Sequence, residues 1–226
     1  MDPITIGIIC WISSAVAISI GSSQDTNDKN QKAPPKIVKP PTKTFLFVGN
    51  TGSGISCTIN ALVGSPACKV GATHQTTTQI SETIFLSGYK LRDTPGLMDS
   101  TNFSSHVWNN LMDVELVVYT VSGQLYRPEL LLIEKIFNAQ KRWNLLTPSY
   151  RGRKLVLYVN KQDIKQVSMT GTAKKKEALA IQPQVSPWID SSKIVFGSSS
   201  PNLHGHKGVP QVEELNNLIL EHIKGE

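Results

Sequence analysis

A chain of 226 residues, 39% hydrophobic and 18% charged, is long enough for one domain with a two-layer or three-layer core, and its composition excludes disorder throughout. The net charge of +6 is moderate and its lysines fall in short runs such as Lys174, Lys175 and Lys176, which read as a solvated helix face; the aromatic interleaving of a nucleic-acid surface is missing, so nucleic acid is not an expected partner. The cysteines, Cys10, Cys57 and Cys68, form no CxxC pair and no His/Cys ligand spacing, which argues against a disulfide scaffold or zinc site and for a reducing compartment.

In chain order, residues Pro3 to Gln24 carry no charge, and the apolar run from Ile4 to Ile20 is about the minimum that spans a bilayer. Residues 1–21 are therefore expected to form a single N-terminal transmembrane helix. A cleaved signal peptide is the rival, with Ala15-Val16-Ala17 as its small-residue site, but the basic n-region is absent; a short interfacial helix is a further alternative. Only Asp2 precedes the run, whereas Lys29, Lys32, Lys36, Lys39 and Lys43 follow it, so the C-terminal side is expected in the cytosol. Residues 22–42, with Pro34-Pro35 and Pro40-Pro41, read as a semi-rigid linker, and residues 43–226 as the folded domain.

From Lys43 the chain alternates short apolar or β-branched runs with longer amphipathic segments, the pattern of an α/β fold with a mostly parallel sheet between two helix layers. "TFLFVG" is a first strand, followed by a helix from about Ile55 to Val63 with Gly64 as its stop. "TTQISETIFLSGYKLRDT" reads as two strands turning at Ser87-Gly88, and "VELVVYTV" as a fully buried strand. A covering helix is expected over Arg127 to Trp143, with Pro128 in its first turn and Leu130, Leu131, Ile133, Ile136 and Phe137 near helical spacing. "KLVLYVN" and "KIVFGSS" are two more buried strands, and "VPQVEELNNLILEHI" is an amphipathic closing helix. Trp108, Trp143 and Trp188 stand in no motif and are read as packing residues.

Four short motifs fall at strand ends. Gly49-Asn50-Thr51-Gly52-Ser53-Gly54-Ile55-Ser56, followed by Cys57, approximates GxxxxGK[ST] between a strand and a helix, where backbone N–H groups can cradle a phosphate and the Ser56 hydroxyl can ligate Mg²⁺. In "LRDTPGL", Asp93 and Gly96 make a DxxG pattern whose carboxylate can reach that metal through water and whose glycine N–H can sense a terminal phosphate. In "LVLYVNKQDI", Asn160-Lys161-Gln162-Asp163 matches NKxD. The Asp163 carboxylate can accept from the ring N–H and exocyclic amine of guanine, Asn160 can brace the neighbouring loop, and the Lys161 stem can cover the base. Ser198, Ser199 and Ser200 end the last strand, where backbone N–H groups can support the guanine carbonyl. Between the first loop and DxxG, "HQTTTQ" carries a candidate switch threonine for the γ-phosphate and Mg²⁺; Thr77 is the first choice, with Thr76 and Thr78 open.

Over about Lys43 to the C-terminus, this ordered set resembles the TRAFAC class of P-loop GTPases. Within it, "GNTGSGIS", "DTPGL" and "NKQD" are most similar to the immunity-associated GIMAP-type GTPases, with the organelle-import receptor GTPases and the Era-like group as near competitors. The resemblance implies a three-layer P-loop NTPase G domain that binds GTP or GDP with Mg²⁺, associates with a membrane and self-assembles as a homodimer or oligomer.

The departure is Ile55, where the family carries lysine. That lysine supplies charge-assisted hydrogen bonds of about 1.5–3 kcal/mol each, so its loss is expected to weaken phosphate binding about 10-fold to 100-fold and to cost catalysis more, since developing charge loses a fixed cation. Leu97 stands where Ras-like enzymes have a water-positioning glutamine, a departure shared with the families resembled, and Gly52 replaces the asparagine of cation-dependent relatives. Lys69 and Arg92 are the candidate replacement cations, although Arg92 should alternate away from Asp93 on a strand. Two expectations follow: a membrane-anchored GTP-binding switch or assembly module with weak or partner-assisted hydrolysis, or a pseudo-GTPase scaffold in which Ile55 packs into the emptied space.

Overall fold

The computed structural model describes residues 43–70, 79–86, 88–96, 108, 110–111, 114–146, 154–161, 171–200, 202–203 and 206–225. The expected anchor and linker, residues 1–42, lie outside them. Among the described residues no helix is long and apolar enough to cross a membrane.

Strands β1 (Lys43–Gly49), β2 (Ser81–Leu86), β3 (Tyr89–Asp93), β4 (Leu116–Val121), β5 (Lys154–Val159) and β6 (Ile194–Phe196) form one sheet in the order β2-β3-β1-β4-β5-β6. All pairings are parallel except β2 with β3. Strand β1 lies between β3 and β4, so the chain leaves it in opposite directions, the point in an open α/β sheet where a crevice forms beyond the strand ends. A short hairpin, β7 (Asn202–Leu203) with β8 (His206–Lys207), stands apart from this sheet.

Strand periodicity sorts the core into two sides. Leu46, Val48, Val117, Tyr119, Val121, Leu157 and Val159 belong to one buried cluster, together with Ile133 and Ile136 of α2 (Arg127–Leu146) and Ile181 and Val185 of α3 (Gly171–Val185). Phe45, Phe47, Leu91, Leu116, Val118, Val156 and Tyr158 belong to the other, with Ile55 and Ile59 of α1 (Ile55–Val63) and Leu215, Leu218 and Ile219 of α4 (Glu213–Lys224). The result is three layers around a mostly parallel sheet, as the alternation of segments leads one to expect. Trp108 and Trp188 are half-buried against the first cluster; the Trp143 side chain lies outside the description.

Two expectations need correction. The closing helix starts at Glu213 rather than near Val209, because Gln211 is extended and pairs with Ser198 through both its N–H and its C=O. Within the covering helix, Leu131 is exposed while Glu129 is buried, so the inward face of its first turn is set by a carboxylate.

Candidate nucleotide-binding site

The loop 49–56 joins β1 to α1 at the C-terminal edge of the sheet. Its turn closes through a Ser53 N–H to Asn50 carbonyl bond of 2.9 Å. Helix α1 starts after Gly54, which is left-handed (φ 91°) and provides no side-chain cap, so the amides of the first turn meet no capping side chain and the positive end of the helix faces the loop. A glycine is required at 54 for a second reason: the Asn160 amide lies where a β-carbon would go.

Asn160 links three segments. Its Nδ2 donates to the Ser53 carbonyl at 2.8 Å, its Oδ1 accepts from the Ser199 N–H at 2.9 Å, and its own N–H donates to Val121. The asparagine of the NKxD motif thus ties the phosphate loop to the ends of β5 and β6. Lys161 follows in the left-handed region (φ 59°), close enough to Cys57 for its charge to favour the thiolate, although burial outweighs this and pushes the Cys57 thiol up. Gln162 and Asp163 lie outside the described residues.

At the end of β3, Asp93 is 1% exposed and its Oδ2 accepts from the Ser56 hydroxyl at 2.7 Å. The parallel register that places Phe47 opposite Asp93 brings these residues together across a sequence separation of 37. Burial pushes the Asp93 carboxyl up, and the Ser56 hydrogen bond opposes it. Among the described residues, Asp93 Oδ1 is buried with no hydrogen-bond partner, as is Ser53 Oγ. A serine hydroxyl beside a carboxylate with a spare buried oxygen is a hard-oxygen donor set that fits Mg²⁺, with the rest of the shell from phosphate and water. Three residues on, Gly96 packs against Thr51: a β-carbon there would lie 2.6 Å from Thr51 Cα and 2.7 Å from its N, so the DxxG turn and the phosphate loop touch.

Other predicted site residues stand differently. The Ser198 N–H is engaged with Gln211 and the Ser199 N–H with Asn160, so these two amides hold the loop together. The Ser199 hydroxyl bonds Thr58 Oγ1 at 2.7 Å and Tyr158 at 3.2 Å, fixing the last loop on α1. Thr76, Thr77, Thr78 and Leu97 lie outside the described residues. Lys69 is exposed after α1, and Arg92 is bound to Glu82 (2.9 Å from Nε) and to Asn110 (2.8 Å from Nη1), directed away from the loop. Ile55 is 6% exposed and belongs to the core cluster of Phe45, Phe47 and Ile59.

Three contributors escape sequence reasoning. Thr58 is a mid-helix polar residue with no motif; Asn60 holds both the N–H and the C=O of Cys68, anchoring the segment after α1. Glu129 receives Asn50 Nδ2 at 2.7 Å. Its place at the third position of a helix, where glutamate commonly reaches back to the capping residue, is the one local signal available.

The model of the family described as 50S ribosome-binding GTPase matches residues 44–178. The chain belongs to this family of P-loop GTPase G domains. No curated protein matches the sequence. Among solved structures, Era of Aquifex aeolicus bound to GDP·AlF4⁻ superposes with a TM-score of 0.55 at 16% identity over 80% of this chain and 57% of that one. Toc33 of Arabidopsis thaliana, in complex with GDP and Mg²⁺, gives 0.54 at 17% over 82% and 85%. The G domain of the T. maritima FeoB iron transporter gives 0.50 at 23% over 80% and 99%. At these identities the likeness establishes the fold of the G domain. The chain spans little more than half of Era and most of the other two.

Proposed function

We propose that this G domain binds guanine nucleotide with Mg²⁺ and acts as a membrane-anchored switch or assembly module of the GIMAP-like type, with weak or partner-assisted hydrolysis. The observation that carries the reading is the pairing of Ser56 with Asp93, whose second oxygen is buried and unpartnered among the described residues, beneath a loop braced by Asn160. Ser56 and Asp93 are the residues that would hold the metal, Asp93 through water, with Thr77 as the candidate from the switch segment. A bound Mg²⁺ would neutralise phosphate charge there. Backbone amides at the start of α1 would hold the phosphates, and Asp163 would select guanine over adenine. The sequences "GNTGSGIS" and "DTPGL" support the GIMAP-like assignment, and the apolar run before the lysine-rich linker supports a single-pass anchor with the G domain in the cytosol.

Calorimetric titration of the full chain in detergent with GTP and GDP tests this. Binding of both is expected, strengthened by Mg²⁺ and lost in Asp163→Asn; absence of binding at millimolar nucleotide overturns the reading. For the anchor, the full chain is expected to float with lipid vesicles and a chain lacking residues 1–21 to stay in the soluble fraction.

One observation favours a second reading, a pseudo-GTPase scaffold: the side chain at position 55 is part of the apolar core, and the two candidate replacement cations are exposed or engaged elsewhere. On this reading the melting temperature does not respond to GTP and Mg²⁺, whereas a ligand that binds the native state raises it.

A further inference from the structure

Glu129 is 4% exposed, a burial that a carboxylate tolerates only with strong partners. Burial pushes its carboxyl up from the ordinary range, and the hydrogen bond from Tyr126 works against that. One oxygen, Oε2, accepts from the Tyr126 N–H at 2.8 Å, which makes Glu129 the third residue of α2 reaching back to the residue before the helix. In a capping box that residue is a serine or threonine whose hydroxyl returns the bond; here it is a tyrosine, and the second oxygen, Oε1, instead accepts from Asn50 Nδ2 at 2.7 Å. The partner is 79 residues away and is the second residue of the phosphate loop. Beside them the buried Tyr119 hydroxyl has no hydrogen-bond partner among the described residues, and its phenol is pushed up by burial and by the Glu129 charge.

The connections continue through the loop. The Asn50 carbonyl accepts the Ser53 N–H, the Ser53 carbonyl accepts from Asn160, and Asn160 accepts from Ser199. The loop is therefore held on one side by the end of β5 and on the other by the first turn of α2. We propose that Glu129 is a positioning residue for nucleotide: its helix-capping bond fixes the carboxylate so that the free oxygen clamps Asn50 and sets the curvature of loop 49–56. It touches no ligand itself and acts through Asn50. The inference rests on the reading of this loop as a nucleotide cradle.

The test compares Glu129→Gln, Asn50→Asp, the double variant and Asn50→Ala in the full chain, by amide hydrogen exchange without nucleotide and by Mg²⁺-GDP affinity. Glu129→Gln leaves only a neutral amide pair, since the Asn50 amide can turn its oxygen to the new donor, and so loses the charge assistance of the clamp; Asn50→Asp sets two carboxylates together. In the double variant the glutamine amide donates to the new carboxylate, and the charge of the pair returns to its wild-type value. Exchange of the loop amides is expected to speed up about tenfold in each single variant, the size of one lost charged hydrogen bond, and to return close to wild type in the double. Asn50→Ala, which leaves the α2 cap intact, is expected to loosen the loop while the α2 amides keep wild-type exchange. Loop exchange unchanged in Glu129→Gln and Asn50→Ala, or single effects that merely add in the double, overturns the proposal. GDP affinity of Glu129→Gln is expected to fall about tenfold; equal affinity in both proteins also overturns it. If the wild-type chain binds no GDP, the nucleotide reading fails on its own and the exchange measurements still decide whether Glu129 orders the loop.

Discussion

The two helices that flank the phosphate loop begin in opposite ways. Helix α1 opens on Ile55, an apolar residue where phosphate chemistry calls for a cation, and it is buried in the core. Helix α2 carries in its first turn Glu129, a charge where helical spacing calls for a core residue, and it is buried as well. At the first position, burial of apolar atoms stabilises the fold and gives nothing to a phosphate. At the second, burial costs solvation that two hydrogen bonds only partly offset, one of them reaching the loop. Stability and site geometry are thus supplied by different residues at two neighbouring helix starts.

The strongest way to break the comparison is in the core that α1 rests on. Ile59, one turn beyond Ile55 and fully buried, is expected to cost about 2–5 kcal/mol when replaced by alanine, read from denaturant midpoints with an unchanged slope. A loss well under 1 kcal/mol would mean that this face of α1 is not packed as described.

Ile55→Lys exchanges one kind of helix start for the other. Without nucleotide it is expected to lose about 1.5–3 kcal/mol of stability, the worth of a buried aliphatic side chain. With Mg²⁺-GTP it is expected to gain about 10-fold to 100-fold in affinity, since an ammonium restores charged hydrogen bonds. Stability and affinity both at wild-type values would show that residue 55 does not separate fold from chemistry.

Asn160→Ala removes the clamp on the other side of the loop and leaves the Ser53 carbonyl and Ser199 N–H without their partner; about 1–3 kcal/mol is expected by chemical denaturation. Retained stability together with retained loop protection would assign the loop's order to Glu129 alone.

The smallest effect is in pH. Burial raises the folded-state pKa of Glu129 above its unfolded value of about 4.3, so the folded chain binds more protons in that interval. Its contribution to stability is therefore present below the unfolded value and lost as pH rises through the raised one. The groups facing it are Tyr119, which stays neutral throughout, and the uncharged Asn50 amide. Metal-free Glu129→Gln is expected to show a flatter stability profile than wild type across that window; Asp93, shifted the same way, is present in both and cancels. Parallel profiles would remove Glu129 as the titrating group.

Much of the fold is legible from residue order. The limits of α1, Ile55 to Val63 with left-handed Gly64 after it, follow from a glycine stop, and the fully buried β4 follows from an unbroken apolar run. Ser56, Asp93 and Asn160 announce themselves because each is held in a short motif at a strand end. The start of α4 was less legible, since Gln211 and Val212 suit a helix locally and only the bridge to Ser198 keeps that stretch extended. Thr58, Asn60 and Glu129 were illegible as site residues because their partners are set by packing between distant segments.

The layered α/β fold and the strand ends that carry the motifs follow from residue order alone, because periodicity and turn chemistry act over a few residues. Packing between segments settles that Ile55 faces the core, that Asp93 keeps beside Ser56 a buried oxygen with no partner among the described residues, and that Glu129 reaches the phosphate loop. Those outcomes depend on which backbones the parallel register and helix docking bring within hydrogen-bond distance, a relation between segments that no local pattern encodes.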